Sequence, residues 1–198
     1  MKLLVFTDTH SDKEMIDKVK EKSKKADILI CLGDLTTFQA HMSTILKELN
    51  SLKKPVIMIH GNHESEDTIS DMIKNLKNIY FIHEKTYELD NLLILGYGGG
   101  GFSIEDIRFE KISAKWEKLL SKKNDKKIIL ITHGPPFETD IDLISKKHVG
   151  NKSYTKFIKK NKIDYVFSGH LHENFYKTGK LGKTTVMNPG PEGRIIII

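Results

Sequence analysis

Apolar residues fall in short runs separated by amphipathic stretches, and the period of each run predicts its conformation. The run at 3–6 reads as a strand, and 12–24 as a helix with Met15, Ile16 and Val19 on one face. Strands follow at 27–31 and 55–59, with helices at 39–49 and 66–76. This alternation predicts parallel pairing through right-handed crossovers. Beyond these the pattern changes: strands at 79–82, 86–89 and 92–97 are separated by short gaps and end in Gly98-Gly99-Gly100-Gly101. A long helix at 105–120 carries Trp116, a turn is expected at 122–127, and strands at 127–132 and 165–168 bracket a helix at 153–161. The tail, at 174–177, 183–187 and 194–198, reads as a meander punctuated by Gly and Pro. With no linker or repeat, the 198 residues read as a single α/β domain, a mixed sheet system faced by helices with two sheets packed together.

Composition narrows the class. Hydrophobic residues at 38% and charged residues at 29% are a globular balance. No apolar run approaches the ~18 residues of a membrane span, and the opening apolar stretch is too short for a signal peptide. Cys31 is the single cysteine, which excludes an internal disulfide and thiolate-rich zinc clusters. The expectation is a soluble, cytoplasmic protein with no membrane partner. The net charge of +6 arises from 32 basic and 26 acidic residues, with Arg108 and Arg194 the only arginines. That reads as an ion-paired lysine surface, because a nucleic-acid groove carries clustered Arg and interleaved aromatics. Oligomeric state is not legible in the sequence.

Chemistry-bearing residues stand just past the apolar strands. Asp8 and His10 follow the first strand, Asp34 the second, Asn62 and His63 the third, while His133 and the pair His170 and His172 follow two later ones. Ligands of open α/β sheets collect outside the carboxyl ends of strands. Asp8, His10, Asp34, Asn62, His133, His170 and His172 offer only O and N donors, a set that suits two divalent ions sharing one carboxylate. Imidazole with carboxylate and amide favours Mn, Fe, Zn, Co or Ni over Ca or Mg. Two such ions, two aspartates and a bridging hydroxide leave a site of about +1, matched to a monoanionic phosphodiester, and the hydroxide is the expected nucleophile. His63 is not needed as a ligand. An imidazole there, with an ordinary pKa of about 6.5, suits proton donation to the leaving oxygen.

The blocks Asp8-Thr9-His10, Gly33-Asp34, Gly61-Asn62-His63-Glu64, Thr132-His133-Gly134-Pro135-Pro136 and Gly169-His170-Leu171-His172 resemble, in order, the five blocks of the calcineurin-like metallophosphoesterase superfamily. With His148-Val149-Gly150 and Asn188-Pro189-Gly190-Pro191, they are most similar to its branch of small class III phosphodiesterases and metallophosphoesterase-domain proteins. The resemblance implies a four-layer αββα sandwich with a dimetal site at the sheets' edge and Mn as the expected metal. It further implies that Asp8, His10, Asp34 and His172 hold one ion, that Asp34 bridges, that Asn62, His133 and His170 complete the second, and that His63 is the catalytic histidine. One departure is informative. Gly33-Asp34 continues as Leu35-Thr36-Thr37 rather than the V-D-R-G of the Ser/Thr protein phosphatases, and no Arg lies near a motif, so a diester is expected over a phosphomonoester dianion.

The remaining candidates read as structural, with one exception. Asp12 is a helix cap, Glu64 a helix-start acid, Cys31 a buried small residue, His60 a packed neighbour, and His41 and His83 surface residues. The run 98–101 lacks the Lys-Ser/Thr of a phosphate-binding loop and reads as a bend or rim loop. His148, between two ligand-bearing strands, is the exception and is a candidate substrate contact. The expected activity is that of a phosphodiesterase acting on a phosphate ester. A nuclease is the alternative, and an inactive scaffold of the same fold the third reading.

Overall fold

The computed structural model describes residues 1–122 and 125–198, so Lys123 and Asn124, at the centre of the turn expected at 122–127, lie outside the described residues. In chain order the elements are β1 (Lys2–Phe6), α1 (Lys13–Ser23), β2 (Ile28–Cys31), α2 (Met42–Ser51), β3 (Val56–Met58), α3 (Glu66–Met72), β4 (Ile79–Phe81), β5 (Lys85–Leu89), β6 (Leu92–Tyr97) and α4 (Ile107–Leu120). They continue with β7 (Lys127–Thr132), a short ribbon of β8 (Leu143–Ile144) and β9 (Lys147–His148), α5 (Lys152–Lys160), β10 (Tyr165–Ser168), a 3-10 turn (His172–Asn174), β11 (Thr178–Leu181), β12 (Thr184–Met187) and β13 (Arg194–Ile197). Two large mixed sheets result, ordered β13-β1-β2-β3-β4 and β11-β12-β10-β7-β6-β5. In the first, β13 alone runs antiparallel to its neighbour. In the second, the edge strands β5 and β11 do so.

Alternation along each strand divides the interior into three apolar layers. Leu4 and Phe6 of β1 face outward onto Ile16 and Val19 of α1 and the apolar face of α2, while Leu3 and Val5 face the second sheet. Ile128 and Leu130 of β7 meet Phe109 and Trp116 of α4 and Phe157 of α5, whereas Ile129 and Ile131 join the layer between the sheets. The fold is therefore the four-layer αββα sandwich. Because both faces of the central strands are covered, their sequences read as unbroken apolar runs such as Leu29-Ile30-Cys31 and Ile128-Ile129-Leu130-Ile131.

Local chemistry sets the boundaries. Asp12 caps α1 as expected, its carboxylate accepting the Glu14 and Met15 N–H groups at 2.8 and 3.2 Å. Asp106 caps α4 from Phe109 N–H at 2.9 Å, and Asn151 caps α5 from Tyr154 N–H at 3.1 Å. The helix expected from residue 39 begins at Met42, because Phe38, Gln39 and His41 take left-handed φ values of 46°, 66° and 60°. The strand expected at 174–177 is displaced to β11: Asn174 closes the 3-10 turn, with its side chain donating to Leu143 O at 2.9 Å. The β8–β9 ribbon lies in a stretch whose pattern predicts no element.

Phe109 is the pivot of the outer layer on the second sheet, touching Tyr97, Trp116, Tyr154 and Phe157 and fully buried. Phe109→Ala is expected to cost about 3–5 kcal/mol, read as a lowered urea midpoint. Ile197→Ala, at a side chain 72% exposed, should stay within about 0.5 kcal/mol. Equal effects at the two positions would contradict this layering.

Candidate metal centre

Five strand ends meet at one edge of the sandwich, and backbone hydrogen bonds tie them together. Asp8 N–H donates to Gly33 O at 3.1 Å and His10 N–H to Asp34 O at 3.0 Å, joining the segments after β1 and β2. Gly169 N–H donates to His133 O at 2.9 Å, joining those after β7 and β10. Two bonds then cross between the sheets: His170 N–H to Asp8 Oδ2 at 3.0 Å and His133 Nδ1–H to Leu32 O at 2.9 Å. The approach is close enough to demand glycine. A Cβ at Gly61 would overlap the Asp34 carboxylate, and one at Gly169 would overlap Thr7 and Asp8.

All seven expected ligands and His63 converge. Asp34 is central: Oδ1 accepts the His63 N–H at 3.0 Å, while Oδ2 lies 3.4 Å from His133 Nε2 and 3.9 Å from both His10 Nε2 and His63 Nε2. Asn62 Oδ1 is 3.0 Å from His133 Nε2. On the other side, Asp8 Oδ1 faces His172 Nε2 at 3.6 Å and His10 Nε2 at 4.0 Å, and the two imidazole nitrogens face each other at 3.3 Å. His170 lies against His133, ring centroids 5.1 Å apart. Three triads of ligand atoms lie within 4.8 Å of one another: Asp8/His10/His172, His10/Asp34/His63 and Asp34/His133/His170. The middle triad places His63 as near the centre as the expected ligands.

These contacts fit a pair of cations. Ligand atoms held about 2.1 Å from one ion stand roughly 3–3.5 Å from each other, near the spacing found here. His170 Nε2 is buried without a hydrogen-bond partner, an orphan that a cation would satisfy. His133 donates its Nδ1 proton to Leu32, which leaves Nε2 between two acceptors, Asp34 Oδ2 and Asn62 Oδ1. A second proton or a cation at Nε2 would satisfy both oxygens. Burial opposes a charged His133, yet the Asp34 contact and the charge of Asp8 outweigh it and push the ring up to about 9. Burial likewise opposes ionised Asp34, but His133 and the His63 N–H hold it down to about 2. Burial pulls His170 down to about 4.

Two residues differ from expectation. Glu64 is a buried anchor rather than a helix-start acid: its carboxylate accepts from Asp34 N–H at 3.0 Å, Gly61 N–H at 3.0 Å, Thr36 N–H at 2.8 Å and the Thr36 hydroxyl at 3.1 Å. It binds the backbone carrying Asp34 to the backbone carrying Asn62 and His63. Its position directly after His63, two residues before a helix that Ser65 already caps, is the signal that could have revealed it. His83 is buried at 3% exposure, not on the surface. Its Nδ1 accepts Gly98 N–H at 2.9 Å, while Gly99 N–H donates to His60 O at 2.9 Å, so the glycine run is a rim loop fastened to packed histidines. His60 and His83 meet edge to face with centroids 4.6 Å apart, and His41 is exposed. Cys31 is buried as expected. His148 is not in a metal triad; its Nδ1 donates to Asp142 Oδ1 at 2.7 Å, and its ring lies against Phe137.

Glu64→Ala strands three buried N–H donors and is expected to cost about 2–4 kcal/mol and to weaken metal retention about 10–100-fold, read by urea denaturation and metal titration. The titrating histidines give the metal-free protein an expected pH profile. His133, raised from 6.5 to about 9, stabilises the fold fully below about pH 6.5 and loses that contribution as pH rises through 9. His60 and His170, both lowered to about 4 by burial, contribute above about pH 6.5 and lose it as pH falls through 4. The thermal midpoint of chelated protein should therefore peak near pH 6.5. Saturating metal should raise it more at pH 8 than at pH 6, because the cation takes the place of the His133 proton.

The family model described as calcineurin-like phosphoesterase matches residues 1–174. The uncharacterized protein MJ1162 of Methanocaldococcus jannaschii is 30% identical over 205 residues, spanning 99% of this chain and 91% of the relative. Among solved structures, TT1561 of Thermus thermophilus superposes with TM-score 0.75 at 17% identity, over 96% of this chain and 88% of that one. A dimetal phosphatase from Danio rerio superposes with TM-score 0.63 at 11% identity, over 95% and 86%. The chain belongs to the calcineurin-like phosphoesterase family.

Proposed function

We propose that this metallophosphoesterase is a phosphodiesterase that works with two divalent cations, manganese foremost, with Fe, Zn, Ni or Co as alternatives. The observation that carries the reading is the Asp34 carboxylate, with one oxygen fixed by the His63 N–H and the other facing three imidazoles. Asp8, His10, Asp34 and His172 would hold one cation, and Asp34, Asn62, His133 and His170 the second. When bound, such a pair supplies an acidified water and neutralises charge on the phosphoryl oxygens. The resemblance in fold to a dimetal phosphatase supports the same direction.

The chain's own residues account for the rest. The Asp34–His63 bond ties the proton donor to the shared carboxylate, so donor and phosphorus keep a common reference. The His63 side chain is 21% exposed and opens on the rim, where it can protonate a departing ester oxygen. His133 and Asp34, buried beneath it, exclude water from the inner face of the site. Diester preference rests on the arginines. Arg108 is bound to Glu84 and Glu66, and Arg194 to Tyr176 O and Thr178, so neither offers a fork to a phosphomonoester dianion. His148 would reach substrate only from the β8–β9 ribbon, which leans on the 3-10 turn carrying His172 through the Asn174–Leu143 bond.

The net positive charge does not favour the nuclease reading. A cavity of about 650 Å³ lined by Lys127, Lys159, Lys162, Lys180 and Lys183 opens at the starts of β7 and β10, whereas His133 and His170 follow their ends. An inactive scaffold is disfavoured because all seven ligand positions and His63 are filled. Among the described residues no helix is long and apolar enough to cross a membrane, and we place the enzyme in the cytoplasm.

With Mn²⁺ and bis(p-nitrophenyl) phosphate, Asp34→Asn and His63→Ala are each expected to lower turnover by about 10²–10⁴-fold, and Asp34→Asn to lower bound metal as well. Unchanged turnover in both variants would remove the assignment. Faster turnover of p-nitrophenyl phosphate than of the diester would remove the diester preference alone.

A further inference from the structure

Two phenylalanines flank the metal centre and belong to no core. Phe38 is 77% exposed, and its ring lies on His63 with centroids 4.4 Å apart. Phe102 is 64% exposed and meets His170 edge-on at 4.6 Å. Between them runs a row of contacts, from His63 to Asp34 Oδ2 at 3.9 Å, on to His133 at 3.4 Å, and to the His170 ring at 5.1 Å. An exposed aromatic thus closes each end of the row along which a phosphoryl group would lie.

Phe38 is held there deliberately by its loop. Its φ of 46° is left-handed, a conformation rare for a bulky aromatic side chain, and Gln39 and His41 share it. The loop is pinned to the metal segment: the Thr37 hydroxyl donates to His10 O at 3.1 Å, Thr37 N–H to Ser11 Oγ at 3.3 Å, and Ser11 Oγ to Ala40 O at 2.8 Å. These bonds fix an aromatic ring in water with one side on the proton donor and the rest uncovered. What sets this ring apart from the other exposed apolar side chains is its place against His63, where its uncovered side is open to a ligand at the metal centre.

We propose that Phe38 is a specificity-determining residue that stacks on a flat aromatic leaving group of the phosphate ester. The inference rests on the phosphoesterase reading and on His63 as proton donor. The Phe38 ring stands 4.4 Å from the His63 imidazole, so a planar leaving group held within reach of His63 can meet it in offset or edge contact. An alkyl group of similar length would present less surface and no π-face. The enzyme's ester is therefore one that carries an aryl or heteroaryl group on its departing arm.

The test is equilibrium binding to the Mn-loaded full chain of two non-hydrolysable probes, phenylphosphonate and methylphosphonate, by titration calorimetry. Wild type should bind the phenyl probe roughly tenfold more tightly. Phe38→Ala should erase most of that preference, leave methylphosphonate within about twofold, and leave the thermal midpoint unchanged, since the side chain is exposed. Phe38→Trp should retain the preference, and Phe38→Leu should lose it. Equal weakening of both probes by Phe38→Ala, or an intact phenyl preference, would overturn the aromatic contact while Asp34→Asn and His63→Ala still abolish hydrolysis. If Asp34→Asn leaves hydrolysis unchanged, it is the phosphoesterase reading that falls.

Discussion

The rest of the structure depends on burying one carboxylate where the two sheets meet. Asp34 is 2% exposed, and an isolated carboxyl group in such a place would ionise only at a cost of several kcal/mol. It is kept charged because the second sheet brings His133, fully buried, to 3.4 Å, and the first brings the His63 N–H to 3.0 Å. The pairing therefore works only when the sandwich has closed, and the closed sandwich is stable there only when the pairing is made. A cation taking the place of the His133 proton would strengthen the same arrangement and so couple metal binding to the packing of the two sheets.

Backbone strain shows where this coupling is concentrated. Asp8, His10, Asp34 and His170 have φ values of 52°, 47°, 47° and 67°. Asp and His tolerate this region better than most residues, but four among the seven proposed ligands mark a site over-determined by its surroundings. Glu64 is the clearest such constraint, since one side chain accepts from both loops that flank Asp34. Left-handed residues two to four positions past a strand turn the chain at the sheet edge, so the side chains of adjacent strands can point at a common centre instead of past one another.

Much of this was legible in the sequence because strands with two buried faces leave unbroken apolar runs and because polar ligands interrupt them abruptly. The strand at 127–132 and the histidine after it are visible without any structure. What was hidden depends on long-range partners. His83 reads as a turn residue, yet burial is imposed by Tyr97 and His60 from elsewhere in the chain. Glu64 has the composition of a helix start, and only the N–H groups of Asp34 and Thr36, about thirty residues earlier, give it another role. The late start of α2 was hidden for a related reason: residues 37–41 have no propensity against helix, but their hydroxyls and carbonyls bond the His10–Ser11 segment instead.

This division also separates what the fold holds constant from what it leaves adjustable. The proposed ligands sit within a few residues of buried strands, where a shift of one side chain would disturb the layer between the sheets, and their donor set is accordingly rigid. The groups that face outward from them, Phe38 on the 36–41 loop and Phe102 beyond the glycine run, hang on segments joined to the centre by a few hydrogen bonds. Replacing either ring would alter the surface a substrate meets without moving a carboxylate. Lys127, Lys159, Lys162, Lys180 and Lys183, by contrast, line a cavity at the starts of β7 and β10, the opposite ends of those strands from His133 and His170. On the proposed reading, selectivity would belong to the exposed ring of Phe38, carried on a loop laid beside the buried carboxylates of Asp8 and Asp34.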